Sequence, residues 1–186
     1  MKTVKFNYRQ VIDEVLNNMN LKDSICMDAT CGNGKDSLNI IKRIEEGFLY
    51  CVDIQDSALK ETDRLLKREG FHNYKLIKES HDKVFDKFNC KFKLVIYNLG
   101  YLPGSDKTIV TRPDTTIRSI DIAKDYLLSD GVIIIVSYLG HEGSLEERRE
   151  LDNYLKNLDQ KSFLVEKREF YNQVNNPPIV YLVGVR

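Results

Sequence analysis

No apolar run in this chain approaches the roughly 20 residues that a membrane-spanning helix requires. The opening residues, Met-Lys-Thr-Val-Lys-Phe-Asn-Tyr, contain no apolar signal core. A cytoplasmic protein with no membrane partner is therefore expected. Close cysteine pairs are also missing. Cys26, Cys31, Cys51 and Cys90 form no Cys-x-x-Cys, and His72, His81 and His141 lie far apart. A zinc site wants close pairs and histidines at helical spacing, so no metal centre is expected. Reduced, mostly buried thiols are the better reading. Net charge is absent too, with 28 basic residues against 28 acidic ones. That excludes a grip on nucleic acid by bulk charge. It leaves room for a local basic patch that positions one small, structured RNA. No internal repeat, low-complexity tract or linker divides the chain. Its 186 residues suit one domain, residues 1–186, with one real core.

What is present is an alternation of short apolar runs and amphipathic stretches. Residues 8–19 place Val11, Ile12, Val15, Leu16 and Met19 on one helical face. Strands are expected at residues 24–28, 48–53, 74–77, 92–97 and 132–137, the last being the most hydrophobic and the expected centre of the sheet. Helices are expected at residues 35–46 with Gly47 as the stop, at 56–69 with Asp56 as N-cap and Gly70 as the stop, and at 82–88. Two more are expected at residues 114–128, with a turn ending at Gly131, and at 144–158. Residues 163–171 and 179–185 close the pattern as two successive strands. Five strand–helix rounds followed by two strands predict an α/β, Rossmann-like fold. Its sheet would be seven-stranded and mostly parallel, with a C-terminal antiparallel hairpin.

In a doubly wound sheet, ligands bind beyond the carboxyl ends of the strands, at the point where the strand order reverses. The segment Asp28-Ala-Thr-Cys-Gly-Asn-Gly34 lies there, after the first strand. Gly32 and Gly34 let the backbone turn tightly and approach a ligand, and Thr30 and Asn33 stand beside them. Asp53 ends the second strand, where a carboxylate can accept both hydroxyls of a ribose, and Gln55 follows it. Asp28 is placed to hold a cofactor ammonium, directly or through water. A dinucleotide fingerprint fails, because Gly34 is followed by Lys35-Asp36-Ser37 rather than a third glycine at the required spacing. A phosphate loop fails as well, because no hydroxyl residue follows Gly34-Lys35. Ser80 and His81 follow the third strand, where such a site meets the adenine; His81 reads equally as a helix-start residue.

The second informative segment is Asn98-Leu-Gly-Tyr-Leu-Pro-Gly104, after the fourth strand. Asn98 offers a carbonyl oxygen that can accept an N–H and orient a nitrogen lone pair. Its backbone neighbours can supply another acceptor, and Tyr101 offers a flat face for a base. A nucleoside cofactor at the first segment with a nitrogen held at the second is an arrangement for moving a methyl group from S-adenosylmethionine to an amine. The sulfonium is already activated, so positioning and desolvation carry most of the catalysis.

At this point the residues support a resemblance. Asp28…Gly32-Asn-Gly34 with Asp53 resembles the class I S-adenosylmethionine-dependent methyltransferases. Asn98-Leu-Gly-Tyr101 is similar to the Asn/Asp-Pro-Pro-Tyr/Phe motif of amino-group methyltransferases, with Leu99-Gly100 replacing the two prolines. That departure weakens a case for adenine methylation. A closer resemblance, to the YtqB/MnmM family, covers nearly the whole chain. It rests on Asp28-Ala-Thr-Cys-Gly-Asn-Gly-Lys-Asp36, Tyr97-Asn-Leu-Gly-Tyr-Leu-Pro-Gly-Ser-Asp-Lys107, Thr111-Arg-Pro-Asp-Thr-Thr116, Tyr138-Leu-Gly-His-Glu-Gly143 with Glu146-Glu147, and Asn175-Asn-Pro-Pro178. Ser144 and Ser37 depart from the family's usual Gly and Thr, without loss of a charge.

The resemblance implies methylation of the aminomethyl group on the wobble uridine of certain tRNAs, giving 5-methylaminomethyl-2-thiouridine. That amine must lose a proton before attack. His141 could take the proton or orient the uracil, or it caps the following helix as a turn residue. Tyr138 shares its rim. The long loop after the fourth strand carries Lys107, Thr111 and Arg112, expected either to meet anticodon-loop phosphates or to be solvated. Asn175 and Asn176 either close over the substrate or form a rigid turn with the prolines. Arg148 and Arg149 read as helical ion-pair members. The expected partner is the tRNA anticodon arm, and pairing as a homodimer would widen the RNA surface. Two other readings stay open: methylation of rRNA or another RNA amine, and a non-catalytic cofactor-binding RNA module.

Overall fold

The most apolar runs become the inner strands of a sheet, buried on both faces, while the edge strands are half-exposed. A computed structural model describes residues 5, 7–100, 111–139 and 143–186. The order along the chain is α1 (Tyr8–Asn18), β1 (Ile25–Asp28), α2 (Lys35–Ile41), β2 (Phe48–Asp53), α3 (Asp56–Arg68) and β3 (Tyr74–Lys78). It continues with β4 (Phe92–Leu99), α4 (Pro113–Ala123), β5 (Leu127–Ser137), α5 (Ser144–Lys156), β6 (Phe163–Arg168) and β7 (Ile179–Val185). The strands form one seven-stranded sheet ordered β3-β2-β1-β4-β5-β7-β6. The first five are parallel, and β7 runs antiparallel to both β5 and β6. The expected fold class therefore holds, hairpin included. The order reverses between β1 and β4, which opens a crevice at their carboxyl ends.

Alternation along the inner strands makes two cores. Leu94 and Ile96 of β4 pack with Val11, Ile12 and Leu16 of α1, Ile40 and Ile41 of α2, and Leu59 and Leu66 of α3. Val95 and Tyr97 face the other way, onto Ile120 and Ala123 of α4 and Leu151 and Leu155 of α5. Ile133 to Val136 of β5 are fully buried. The strand nonetheless sits one place off the centre of the order, which β4 occupies. Cys26, Cys31 and Cys51 are buried and Cys90 half-buried, all with free thiols, and burial pushes the Cys26 thiol up to about 12. Among the described residues, no helix is long and apolar enough to cross a membrane.

Several boundaries differ from the sequence pattern. Helix α2 stops at Ile41, not at residue 46, because the Lys22 carbonyl accepts the N–H groups of Glu45, Glu46 and Gly47 at 2.7, 3.0 and 3.0 Å. Gly47 is required there by crowding, since a Cβ would lie 2.1 Å from the Ser24 carbonyl oxygen. Gly70 does end its helix, at φ +83°. Gln55 takes the N-cap place of α3, and Asp56, its first residue, pairs with Lys78 at 2.7 Å. Only a single 3-10 turn, Phe85–Lys87, stands where a helix over 82–88 was expected. Helix α4 ends at Ala123, and β5 already begins at Leu127, with a register break opposite Phe92 and Leu94. Gly131 fits that irregularity: a Cβ would sit 2.8 Å from the Phe92 carbonyl oxygen. Strand β6 ends at Arg168, short of residue 171.

Candidate active site

The turn after β1 is stapled to its neighbours. Ala29 N–H donates to Ile96 O and Cys31 N–H to Val52 O, both at 2.9 Å. Gly32 N–H donates to Asp53 Oδ2 at 3.0 Å, and its carbonyl accepts from Thr62 Oγ1 at 3.0 Å. Gly32 and Gly34 have φ values of +50° and +76°, the left-handed region that favours glycine. The loop rims a cleft of about 620 Å³ at the carboxyl ends of β1, β2 and β4.

Of the expected cofactor residues, Thr30, Gly32, Asn33, Asp53, Gln55, Ser80, His81 and Asn98 line this cleft. Gly34 and Asp28 are not among its lining residues. Asp28 is fully buried and accepts from Ser37 Oγ at 2.6 Å and Thr30 N–H at 3.3 Å. Burial, and then the charge of Asp36, push its carboxyl up to about 7. Its visible work is to hold the loop's underside. Asp53 reaches the wall; its Oδ1 accepts Gln55 N–H at 2.9 Å, and burial raises its carboxyl above the ordinary value. With the N–H groups of Gly32, Ile54 and Gln55 on it, the carboxylate has room for one further donor.

His81 is 8% exposed, and its Nδ1 has no hydrogen-bond partner among the described residues. Its ring meets Tyr97 edge-on at 5.8 Å, and its carbonyl accepts from Ser119 Oγ at 2.7 Å. Burial lowers the imidazole's pKa, so it stands neutral. The residue lines the cleft, and a buried ring nitrogen left unpaired calls for a partner. Ser80 Oγ donates to the buried Asp82 carboxylate, which also accepts from Arg118 at 3.2 Å. The exposed Ile54, beside Asp53, adds an apolar surface.

On the acceptor side, Asn98 N–H donates to Thr30 Oγ1 at 2.7 Å, and Asn98 Nδ2 donates to Asp36 Oδ2 at 2.7 Å. Asp36 is a wall residue that sequence reasoning missed. The signal was an acid two places beyond the last glycine. Tyr138, half-buried, meets Tyr8 edge-on at 5.5 Å, and Arg9 Nε donates to the Tyr8 hydroxyl at 3.1 Å. Burial, the Tyr8 hydroxyl and the Asp36 charge hold the Tyr138 hydroxyl protonated far above neutral pH. Tyr8 and Arg9 were read only as the start of a helix, yet both line the cleft.

The rim segment is clipped down by α5. Gly100 N–H donates to Thr111 Oγ1 at 3.0 Å, Thr111 N–H to Gly100 O at 3.1 Å, and Thr111 Oγ1 to Glu147 Oε2 at 3.1 Å. Thr116 Oγ1 donates to the other Glu147 oxygen at 3.0 Å, and Glu147 is buried. Exposed Arg112 lines the cleft and lies 3.5 Å from Asp114. Arg148 departs from the ion-pair reading: it is buried, and donates to Ser137 O at 2.7 Å and Ser137 Oγ at 3.3 Å, satisfying the end of β5. Asn175 and Asn176 are exposed and do not line the cleft; Asn176 has φ +45°. Tyr101, Lys107 and His141 lie outside the described residues.

The strand order and the cleft at its reversal define the Rossmann-like methyltransferase fold. Residues 49–184 match the family described as "Putative rRNA methylase", and the chain belongs to that family. A crystal structure of a protein of the same designation from Clostridium thermocellum superposes with a TM-score of 0.94 at 35% identity, covering 100% of both chains. A "putative methyltransferase" from Streptococcus mutans, in complex with SAH, superposes with a TM-score of 0.90 at 28% identity, covering 98% of this chain and all of that one. The chloroplastic tRNA (mnm(5)s(2)U34)-methyltransferase of Arabidopsis thaliana is 32% identical over 173 residues, 87% of this chain. The match spans 63% of that relative's length.

Proposed function

We propose that this chain, acting as one domain, is an S-adenosylmethionine-dependent N-methyltransferase of RNA. On this reading the substrate is 5-aminomethyl-2-thiouridine at the tRNA wobble position, and the product is 5-methylaminomethyl-2-thiouridine. The observation that carries the reading is the Asn98 amide. Its nitrogen donates to Asp36 at 2.7 Å and the amide also meets the Tyr138 hydroxyl, which holds it on the cleft wall beside the glycine loop.

The cofactor fits the residues present. The cleft has the volume for a nucleoside ligand, Asp53 has room for a ribose hydroxyl, and His81 Nδ1 has no partner among the described residues. Bound there, S-adenosylmethionine supplies an activated methyl that passes to the amine nitrogen as its carbon–sulfur bond breaks, leaving SAH. Gly32 and Asn33 would hold the amino-acid end, and Ile54 and His81 would hold the adenine. Asn98 Oδ1 accepts one N–H of the neutral amine and turns its lone pair toward the methyl. Tyr138 and Tyr8 exclude water from that corner. His141 takes the proton that the ammonium must lose, or positions the uracil, and Tyr101 offers the base a flat face. Lys107, Thr111 and Arg112 meet anticodon-arm phosphates, with Asn175 and Asn176 at the outer rim. A cytoplasmic homodimer completes the reading.

A second reading, methylation of rRNA, is favoured by the family's description. Transfer of labelled methyl from S-adenosylmethionine to separated tRNA and rRNA fractions decides between them. Label in tRNA supports the proposal. Label confined to rRNA overturns it in favour of the second.

A further inference from the structure

The two ends of an asparagine amide are nearly the same size, so packing alone does not decide which end faces a ligand. On β4 the backbone of Asn98 is fixed by its N–H bond to Thr30 Oγ1 at 2.7 Å, so one rotation of the amide remains to be set. Across from it lies Asp36, in the first turn of α2, with Oδ2 2.7 Å from Asn98 Nδ2, and the Tyr138 hydroxyl also meets the amide. An ionised carboxylate only accepts, so the nitrogen must face it; the reversed amide would set two oxygens against each other. Both residues line the same cleft. Burial raises the Asp36 carboxyl, while its hydrogen bond from Asn98 and the charges of Arg9 and Lys35 hold it down; Asp13 and the buried Asp28 are the nearby acids.

We infer that Asp36 is the positioning residue that turns the Asn98 amide, nitrogen toward α2 and oxygen toward the acceptor amine. The inference deepens the amine-transfer reading and rests on it. Asp36 does not touch the reacting atoms; it acts through Asn98.

A swapped pair separates this role from a merely structural one. Asp36→Ala lowers kcat about 10²-fold, the cost of a misplaced reacting group. It leaves the S-adenosylmethionine Kd and the RNA KM within about threefold. Asn98→Asp alone sets two carboxylates together and is poorly active. Adding Asp36→Asn restores the complement, because an amide on α2 then donates to a carboxylate on β4 that still presents an acceptor oxygen. D36N/N98D is therefore expected to turn over about tenfold faster than N98D, a coupling that two independent losses do not show. Wild-type kcat in D36A, or a double variant no faster than N98D, overturns the inference. The side-chain amide resonances of Asn98 in 15N-labelled protein give a readout without substrate. A hydrogen-bonded, slowly exchanging pair that is lost in D36A supports the inference, and an amide unchanged by D36A overturns it. If the wild type methylates no RNA amine, the substrate reading fails while these resonances still decide the Asp36–Asn98 pair.

Discussion

Gly32 N–H donates to Asp53 Oδ2 at 3.0 Å, which ties the turn after β1 to the end of β2. One carboxylate thus shapes the loop and has room for a ribose hydroxyl. Asp53→Ala removes both contributions. Hydrogen bonds to a charged group are worth about 1.5–3 kcal/mol each. Calorimetric titration is therefore expected to show S-adenosylmethionine affinity falling at least about tenfold. Unchanged affinity would remove Asp53 from the cofactor site.

Two glycines give a paired test of the loop. Gly34 has φ +76°, and a Cβ there would lie 3.0 Å from Thr62 Cα, a backbone atom. Gly70 has φ +83° and open space around it. Gly70→Ala is expected to cost about 1–2 kcal/mol, the penalty of a left-handed residue with a side chain. Gly34→Ala adds a clash that moves α3 against the loop, so it loses more stability and also loses cofactor affinity. Denaturant melts and titration of both variants check this. Equal losses in both would show that the Thr62 contact does not matter.

His81 carries a buried nitrogen with no partner among the described residues. His81→Phe keeps the edge contact with Tyr97 and removes that unpaired atom. Stability is expected to hold within about 1 kcal/mol or to rise, while S-adenosylmethionine affinity falls about tenfold, the worth of one hydrogen bond. Loss of stability with no loss of affinity would assign the ring to the core.

Asp28 gives a pH dependence of unusual sign. Its folded carboxyl titrates at about 7, against an ordinary 3.8. Between those values the folded state holds a proton that the unfolded chain has released, so stability falls as pH rises through that window. Asp28→Asn removes this contribution. Chemical denaturation across the window is expected to give a flatter profile for the variant than for the wild type. Identical profiles would place the titrating proton elsewhere.

The architecture was legible because backbone demands leave a residue pattern. Strands buried on both faces read as Val-Ile-Ile-Ile-Val, and a left-handed turn reads as Gly-Asn-Gly. Asp53 and Asn98 were legible because strand ends at the crevice announce themselves by position. The side-chain pairs across the sheet were not. Asp36 meets Asn98 from 62 residues away, and Thr111 meets Glu147 from 36. Nothing local in the sequence marks such partners. Arg148 was misread for the same reason, because its neighbours Glu146, Glu147 and Glu150 offered a local explanation while Ser137 supplied the real one. The early end of α2 likewise depends on the distant Lys22 carbonyl.

The central claim is methyl transfer to the wobble-uridine amine, and nucleoside mass spectrometry tests it most directly. The substrate is tRNA bearing 5-aminomethyl-2-thiouridine, incubated with the protein and S-adenosylmethionine, with Asn98→Ala in parallel. The account predicts conversion to 5-methylaminomethyl-2-thiouridine by the wild type, and none by Asn98→Ala despite near-normal cofactor binding. Wild-type protein that binds S-adenosylmethionine yet leaves the aminomethyl nucleoside intact, or an Asn98→Ala variant as active as the wild type, would contradict it.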